Sequence, residues 1–552
     1  MGVPGPAGVG GFRPSEPPPA GRADRGLGRG EPRPRGYERV RDLWVLRRCA
    51  VVRGATLQDQ IGQHFVVDFR GASAGPAVER LFREGRVGGV VLFAENLRDP
   101  AQVASLTSDL EALAEDCGLP PPLICVDQEG GVVSRLVEGF TPFPGAMALG
   151  AAGRPEWAEA VAHAQAEELA AVGIRVNLAP VLDVLTEPRN PIVGPRAFSD
   201  RASVVAEFGA RFVRGLAAAG VVAVPKHFPG HGDTDVDSHE SLPVVRRRRP
   251  WLERHALSPF RAAFQAGAPA VMVAHVLYPA LDAARPASLS PRVLGELLRG
   301  ELDFSGVVFT DSLAMRAVWD AWGPASAVEA LRAGADVVLA CGGERAQWEM
   351  LCRSWDASRA GDLKPSALAR SLARVLALKD ALSRTSRPPW QAHAGLATQV
   401  AEAAVAILRD RAGRLPLRPG HTAVIHLGWE LNPYGERASL ARALEACWGP
   451  VEECPSASLP DLNWEQVVVA SLAWKGGHSQ VLRDLAHRFG PRLVVVGLGS
   501  PYELAGLPHV DTYVATSSPD PYSVRAAARV LAGHQRARGR PRVRLPQAGA
   551  RT

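Results

Sequence analysis

A chain of 552 residues is too long for one compact core, and its 46% apolar content at ordinary charge density is that of globular domains with tails. The net charge of +6 invites a nucleic-acid reading, yet residues 1–53 hold eleven arginines against five acids and carry the whole excess. Residues 54–552 are formally neutral, which excludes a basic nucleic-acid-binding domain, and no uncharged apolar run reaches membrane-spanning length, which excludes membrane insertion.

In chain order, residues 1–36 are rich in Gly, Pro and Arg and cannot bury enough surface to offset the entropy of ordering. Residues 1–53 are therefore read as a disordered extension. The nearest approach to a secretory signal core, 43–52, is interrupted by Arg47 and Arg48 and lacks a small-residue cleavage pattern. The seven cysteines (49, 117, 125, 341, 352, 447, 454) are odd in number and never spaced as CxxC. That usage fits reduced thiols and a cytoplasmic location.

From residue 54, eight short β-rich runs alternate with amphipathic stretches of helical period. The runs are 64–69, 89–93, 123–126, 175–178, 221–225, 270–274, 306–310 and 336–340; helices are expected at 100–116, 155–172, 202–219, 251–266 and 326–333. Apolar strands of the kind buried on both faces, separated by helices, predict an α/β fold: a closed parallel (β/α)8 barrel over 54–385, finished by a helix at 365–382. Arg246 to Arg249 reads as a solvated helix approach. A polar linker is expected at 386–397, then a smaller αβα sandwich over 398–535. Its elements are a helix at 396–406, strands at 422–427, 466–470, 493–497 and 512–516, and a last helix at 523–531. Gly497-Leu-Gly-Ser-Pro501 has no third glycine opening a helix and reads as a tight turn, so no phosphate cradle and no cofactor are expected. Residues 536–552 form a basic tail, with fraying expected from Gly533 onward.

The polar residues that follow the barrel runs carry the functional signal. Asp127 follows the third run, Asp183 and Arg196 lie after the fourth, Lys226 and His227 follow the fifth, His275 ends the sixth and Asp311 the seventh. In a parallel barrel these positions converge on the C-terminal rim, where active sites lie. Each has an ordinary structural explanation alone, Asp183 as a helix cap or His275 as a hydrogen-bonded barrel residue; their common placement favours a site. The densest stretch is Lys226-His-Phe-Pro-Gly-His-Gly-Asp-Thr-Asp-Val-Asp-Ser-His-Glu-Ser-Leu-Pro243. Only four of the 63 basic residues are lysines, so Lys226 marks a place where a compact ammonium is wanted over a guanidinium fork.

Three chemistries could use this stretch. A metal could be held by His227, His231, Asp233, Asp237 and His239, although barrel hydrolases draw metal ligands from several strand ends and here they crowd one loop. Ser238 could be a nucleophile, but neighbours in extended chain point to opposite sides, so it cannot readily face His239, and no nucleophile elbow is present. An acid/base dyad is the third: two apart in extended chain, Asp237 and His239 project to one side, and the carboxylate can hold the imidazole. Its partner nucleophile would be Asp311, within Val307-Val-Phe-Thr-Asp-Ser-Leu-Ala-Met315.

The stretch from Lys226 to His239 with Leu242-Pro243 resembles the signature of glycoside hydrolase family 3, in its bacterial β-N-acetylglucosaminidase branch. The resemblance extends to Gly88-Gly-Val-Val-Leu-Phe-Ala-Glu-Asn96, Asp127-Gln-Glu-Gly-Gly131 with Arg135, Asn177-Leu-Ala-Pro-Val-Leu-Asp183, Asn190-Pro-Ile-Val-Gly-Pro-Arg-Ala-Phe198 and Ala274-His-Val276. It covers residues 56–385, with a less specific match beyond, where Ser500-Pro-Tyr-Glu-Leu504 resembles the family's second domain. It implies Asp311 as nucleophile, His239 as acid/base oriented by Asp237, and Asp127, Arg135, Arg196, Lys226 and His227 as ligands of the terminal sugar. Ser312 stands where many relatives carry a second Asp, and Pro195 where others carry an acid, departures that bear on sugar preference.

The implied enzyme is a retaining exo-hydrolase of terminal β-linked N-acetylglucosamine from cell-wall fragments or chito-oligosaccharides. A monomer acting on a small-molecule glycoside without metal is expected, its Asp237–His239 loop closing over substrate. A neutral imidazole repels an anionic acceptor less than a carboxylate does, so a phosphorylase is an alternative, as is a β-glucosidase or xylosidase. Alternatives of another class are a metal-dependent barrel hydrolase and a non-catalytic sugar-binding protein.

Overall fold

The computed structural model describes residues 56–455, 463–474 and 477–545. The expected extension at 1–53, the lysine at 475 and the tail beyond 545 lie outside the described residues. The eight apolar runs form β1 (Phe65–Val67), β2 (Gly89–Leu92), β3 (Leu123–Val126), β4 (Val176–Asn177), β5 (Val222–Ala223), β6 (Ala270–Val273), β7 (Val307–Ser312) and β8 (Val337–Ala340). All pair in parallel, in the order β5-β4-β3-β2-β1-β8-β7-β6. The remaining seam, between β5 and β6, is bridged by the signature stretch itself. Phe228 N–H donates to Met272 O at 2.8 Å, Met272 N–H to Pro225 O at 2.9 Å and Ala274 N–H to Phe228 O at 2.8 Å.

The strands are largely apolar because both faces are buried, with polar residues only toward their C-terminal ends in β4 and β7. Val66, Val91, Leu123, Cys125, Val176, Val222, Met272, Phe309 and Leu339 fill the interior. The alternating residues, among them Phe65, Val90, Ile124, Val271 and Val308, pack outward against the helices. Each large side chain so buried contributes ~2–3 kcal/mol. Below, Val375 and Leu378 of the helix Pro365–Ser383 plug the floor. The helix expected at 251–266 is two, Arg249–His255 and Leu257–Gln265. Pro259 explains the break: it has no N–H and its ring crowds the carbonyl of His255.

The second sheet has six strands: β9 (Ala406–Asp410), β10 (Thr422–Leu427), β11 (Glu452–Cys454), β12 (Gln466–Ser471), β13 (Leu493–Gly497) and β14 (Thr512–Ala515). Their order is β11-β10-β12-β13-β14-β9, with β9 antiparallel and the rest parallel. Two of the six were not expected. β11 is a half-exposed edge strand with no apolar signal, and β9 begins one residue after the helix Ala394–Ala404, whose periodicity runs into it.

The two lobes pack as one body. Ala148 and Ala151 of the barrel meet Ala404, Val132 and Val133 join the sandwich core, and Ser134 Oγ and Tyr434 OH share a 2.8 Å hydrogen bond. The tail does not fray where expected. Arg540 N–H donates to Ala151 O at 2.9 Å, Arg544 N–H to Asp200 Oδ2 at 2.7 Å and Ser199 Oγ–H to Arg542 O. Val543 is buried with Met147, Val181, Leu185, Val193 and Ala197, and this apolar anchor outweighs the basic character that suggested a free tail. Among the described residues no helix is long and apolar enough to cross a membrane.

Candidate active site

The C-terminal ends of the barrel strands bring the polar residues together. After β3, Asp127 and Glu129 face Lys226 after β5: Lys226 Nζ lies 2.6 Å from Asp127 Oδ1 and 2.6 Å from Glu129 Oε1. Arg196, from the loop after β4, clasps Glu129 with Nε to Oε2 at 2.8 Å and Nη2 to Oε1 at 2.8 Å. Glu129 and Lys226 are buried, and Asp127 and Arg196 are partly so. Burial alone would push the Glu129 carboxyl up, but Arg196 and Lys226 together outweigh it and hold the carboxyl well below its ordinary range. Burial would likewise depress Lys226, but the Asp127 and Glu129 carboxylates raise it, so the ammonium stays charged. A fork-shaped guanidinium beside a compact ammonium fits the lysine economy of the sequence.

A second network hangs on Asp183. Its Oδ2 meets His227 Nδ1 at 2.6 Å and its Oδ1 accepts His231 N–H at 2.6 Å. His231 bonds Thr234 Oγ1 at 2.8 Å and Ser238 Oγ at 3.1 Å, and burial pushes it down to about 4, so it is neutral at ordinary pH. Gly232 holds the loop against β4's: its carbonyl accepts Thr186 and Glu187 N–H at 3.2 and 3.1 Å, and a Cβ there would collide with the Val184 carbonyl.

Asp311, near the end of β7, lies half-buried in the pocket floor. Burial raises its carboxyl, but His227, His275, the Ser312 N–H at 2.7 Å on Oδ1 and Lys226 together hold it below its ordinary value. Burial pushes His275 down, so its contribution fades at neutral pH, while the Ser312 N–H and the Lys226 ammonium persist. The carboxylate is thus kept ionised in a low-dielectric floor, as a nucleophile requires.

At the mouth, His239 Nδ1 lies 2.8 Å from Asp237 Oδ1. The geometry differs from the extended segment expected. Glu240 and Ser241 N–H bond back to Asp237 O at 2.9 and 3.1 Å, and Asp237 Oδ1 also accepts His239 N–H at 2.7 Å, so the carboxylate closes a turn. Its side chain is 12% exposed and that of His239 is 57% exposed, leaving the imidazole open to solvent and substrate. Ser238 is buried and its Oγ is taken up by His231 Nε2 at 3.1 Å. The five residues weighed as metal ligands are engaged in three groups: His227 and His231 with Asp183, Asp237 with His239, and Asp233 with Arg247 at 2.7 Å. Among the described residues no group of three or more His, Cys, Asp or Glu is placed to hold a metal ion.

These groups enclose a pocket of about 190 Å³. Asp127, Arg135, Arg196, Lys226, His227, His239 and Asp311 all line it, and Asp237 stands behind His239. Arg135 stacks its guanidinium 5.9 Å from the Phe93 ring, and its buried Nε has no hydrogen-bond partner. Sequence reasoning missed Glu129, the hub of the charged group, although its place two residues after Asp127 was a signal. It also missed Trp474, which reaches the pocket from the sandwich and donates Nε1–H to Ile192 O at 3.3 Å; no local pattern announces such a residue.

The family model described as the glycosyl hydrolase family 3 N terminal domain matches residues 56–378. The chain belongs to glycosyl hydrolase family 3. It is a glycoside hydrolase, and its similarity to other family 3 proteins reaches beyond the barrel. It is 35% identical over 420 residues to beta-hexosaminidase A of Pseudoalteromonas piscicida, spanning 67% of this chain and 70% of that protein. A beta-hexosaminidase of Alkalilimnicola ehrlichii is 44% identical over 263 residues, 46% of this chain and 74% of that one. Among solved structures, the family 3 beta-N-acetylglucosaminidase from Paenibacillus sp. str. FPU-7 superposes with a TM-score of 0.84 at 35% identity, over 89% of this chain and 99% of that one.

Proposed function

We propose that this family 3 hydrolase removes terminal β-linked N-acetylglucosamine from cell-wall fragments or chito-oligosaccharides by double displacement. The observation that carries the reading is the pairing of an open, carboxylate-held imidazole, His239, with a half-buried, ionised carboxylate, Asp311, on one small pocket. The sugar's hydroxyls and acetamide would be held by Asp127, Arg135, Arg196, Lys226 and His227. The vacant Arg135 Nε supports such a ligand, since a buried donor without a partner costs ~1–3 kcal/mol.

In the first step an Asp311 oxygen bonds to the anomeric carbon as the glycosidic C–O bond breaks, and His239 gives its proton to the departing oxygen. Asp237 on Nδ1 leaves Nε2 as the nitrogen that carries this proton. In the second, Nε2 takes a proton from water, the water oxygen bonds to the anomeric carbon from the opposite side, and the bond to Asp311 breaks. Two inversions leave the configuration retained. A pocket of about 190 Å³ beneath an open mouth suits removal of one terminal unit. The six described cysteines are free, which supports a reducing compartment.

The reading is tested by incubating the protein with aryl β-N-acetylglucosaminide and aryl β-glucoside, with and without phosphate, and identifying the sugar released. Free N-acetylglucosamine of β configuration at first turnover is expected, and Asp311→Ala should abolish it. Full activity in that variant sinks the assignment, and a sugar 1-phosphate would make the protein a phosphorylase.

A further inference from the structure

A second cleft, of about 1010 Å³, adjoins the pocket. Among the described residues the two cavities share two lining residues, His239 and Trp474. If the terminal sugar fills the inner pocket and His239 protonates the departing oxygen, whatever that oxygen carries must leave between these two side chains. The barrel supplies one and the sandwich the other. Trp474 sits just beyond β12, and its Nε1–H on Ile192 O fixes the indole over the loop that carries Arg196. A Cβ on Gly194 would lie 3.2 Å from the indole Cδ1, so the ring presses on that loop through a glycine. A rigid aromatic beside a departing oxygen presents an apolar body to the C–H face of a sugar ring.

The cleft also has a sign. Asp235, Asp237, Glu240 and Glu503 line it, against the single described cation Arg189. Arg189 pairs with Glu187 at 2.9 Å and reaches Asp235 at 4.0 Å, so this one cation is shared between two carboxylates. Glu503 is buried and pushed up by that burial while holding Ser471 and Tyr513, so the exposed Asp235 and Glu240 set the charge at the entrance.

We propose that Trp474 and this acid-lined cleft form a leaving-group subsite that accepts a second, uncharged amino sugar and discriminates against an anionic muramyl unit. The proposal rests on the hydrolase reading above and chooses between the two substrate sources named there. An uncharged ring gains the aromatic contact at no electrostatic cost, whereas a carboxylate entering beside Asp235 and Glu240 meets like charge.

The test compares kcat/KM of the full chain for three substrates: N-acetyl-β-glucosaminyl azide, whose leaving group is too small to reach the cleft, N,N′-diacetylchitobiose, and N-acetylglucosaminyl-1,6-anhydro-N-acetylmuramic acid. Chitobiose is expected to exceed the muramyl substrate by about tenfold or more at low salt, a gap that narrows as salt rises and in the Asp235→Asn/Glu240→Gln variant. Trp474→Ala should lose about tenfold more on chitobiose than on the azide, and Trp474→Phe, which keeps a ring without the Ile192 bond, should recover most of the loss. Equal losses on both substrates would make Trp474 a strut for the Arg196 loop and overturn the proposal. So would a muramyl substrate turned over as fast as chitobiose, or a ratio indifferent to salt and to the charge variant. Failure of the wild type to cleave the azide at all would instead sink the hydrolase reading itself.

Discussion

Arg196 and Glu129 are joined by two parallel hydrogen bonds of 2.8 Å, and Glu129 accepts Lys226 at 2.6 Å from the other side. Glu129 therefore bridges both cations, while Asp127, 2.6 Å from Lys226 Nζ, reaches that ammonium too. Glu129→Gln should cost about 2–4 kcal/mol at pH 7, because it leaves buried charge under-compensated. The folded carboxyl titrates below its unfolded value, so its stabilisation is complete above the unfolded pKa of about 4.3 and fades as pH falls toward the depressed folded one. Urea unfolding of both proteins should show the variant's deficit at pH 7 shrinking below about pH 4. A deficit independent of pH would contradict this account.

Asp237→Asn leaves the turn able to form but removes the carboxylate that holds His239 Nδ1 and fixes its tautomer. Activity on poor leaving groups should fall about 10²-fold or more, with a much smaller loss for leaving groups that depart unprotonated. Rates across a series of aryl glycosides of graded acidity give the measurement. Equal loss along the series would mean that Asp237 acts only on the fold of the loop.

Gly232→Ala places a methyl group against the Val184 carbonyl, where two backbones touch. The loop must shift, carrying His231 and the turn of His239 with it. An activity loss of about tenfold or more with a change in melting temperature of only a few degrees is the expected signature, read by paired kinetics and calorimetry.

Lys379 is buried beneath the barrel, donates Nζ–H to Gln63 Oε1 at 2.7 Å, and is pushed down by burial to about 7. An amine whose folded pKa lies below its unfolded value near 10.4 destabilises the fold where the unfolded chain is protonated, and that penalty is relieved as pH rises from 7 toward 10. Lys379→Met should therefore stabilise the protein by about 1–3 kcal/mol at pH 7 and by much less near pH 10, measured by thermal or urea unfolding at both.

Much of the barrel was legible because its strands are apolar on both faces and its reactive groups sit at their ends. Asp127, Lys226, His227 and Asp311 could be placed from position alone. The turn at Asp237 could not, since a carboxylate that accepts from a backbone N–H and an imidazole depends on φ and ψ rather than on spacing. Glu129 looked like one acid among several until two cations converged on it. Trp474 lies 235 residues after His239 in sequence and meets it only through the packing of two lobes. β11 escaped notice because an exposed edge strand needs no alternation, and the break at Ala256 because Pro259 lies within an otherwise helical pattern.

The burial of Val543 beside Val193 and Ala197 sets an order of events during synthesis. Those two residues flank Arg196, yet their apolar cover comes from a stretch translated almost 350 residues later. A barrel emerging from the ribosome can pair its strands but lacks this cover until the end of the chain is released. A stop codon near residue 535 would thus strip the Arg196 loop of the Val543 part of its apolar cover in a protein whose catalytic residues are all present. Such a truncated chain should bind the chaperone machinery more and its sugar less, although the deleted segment touches neither.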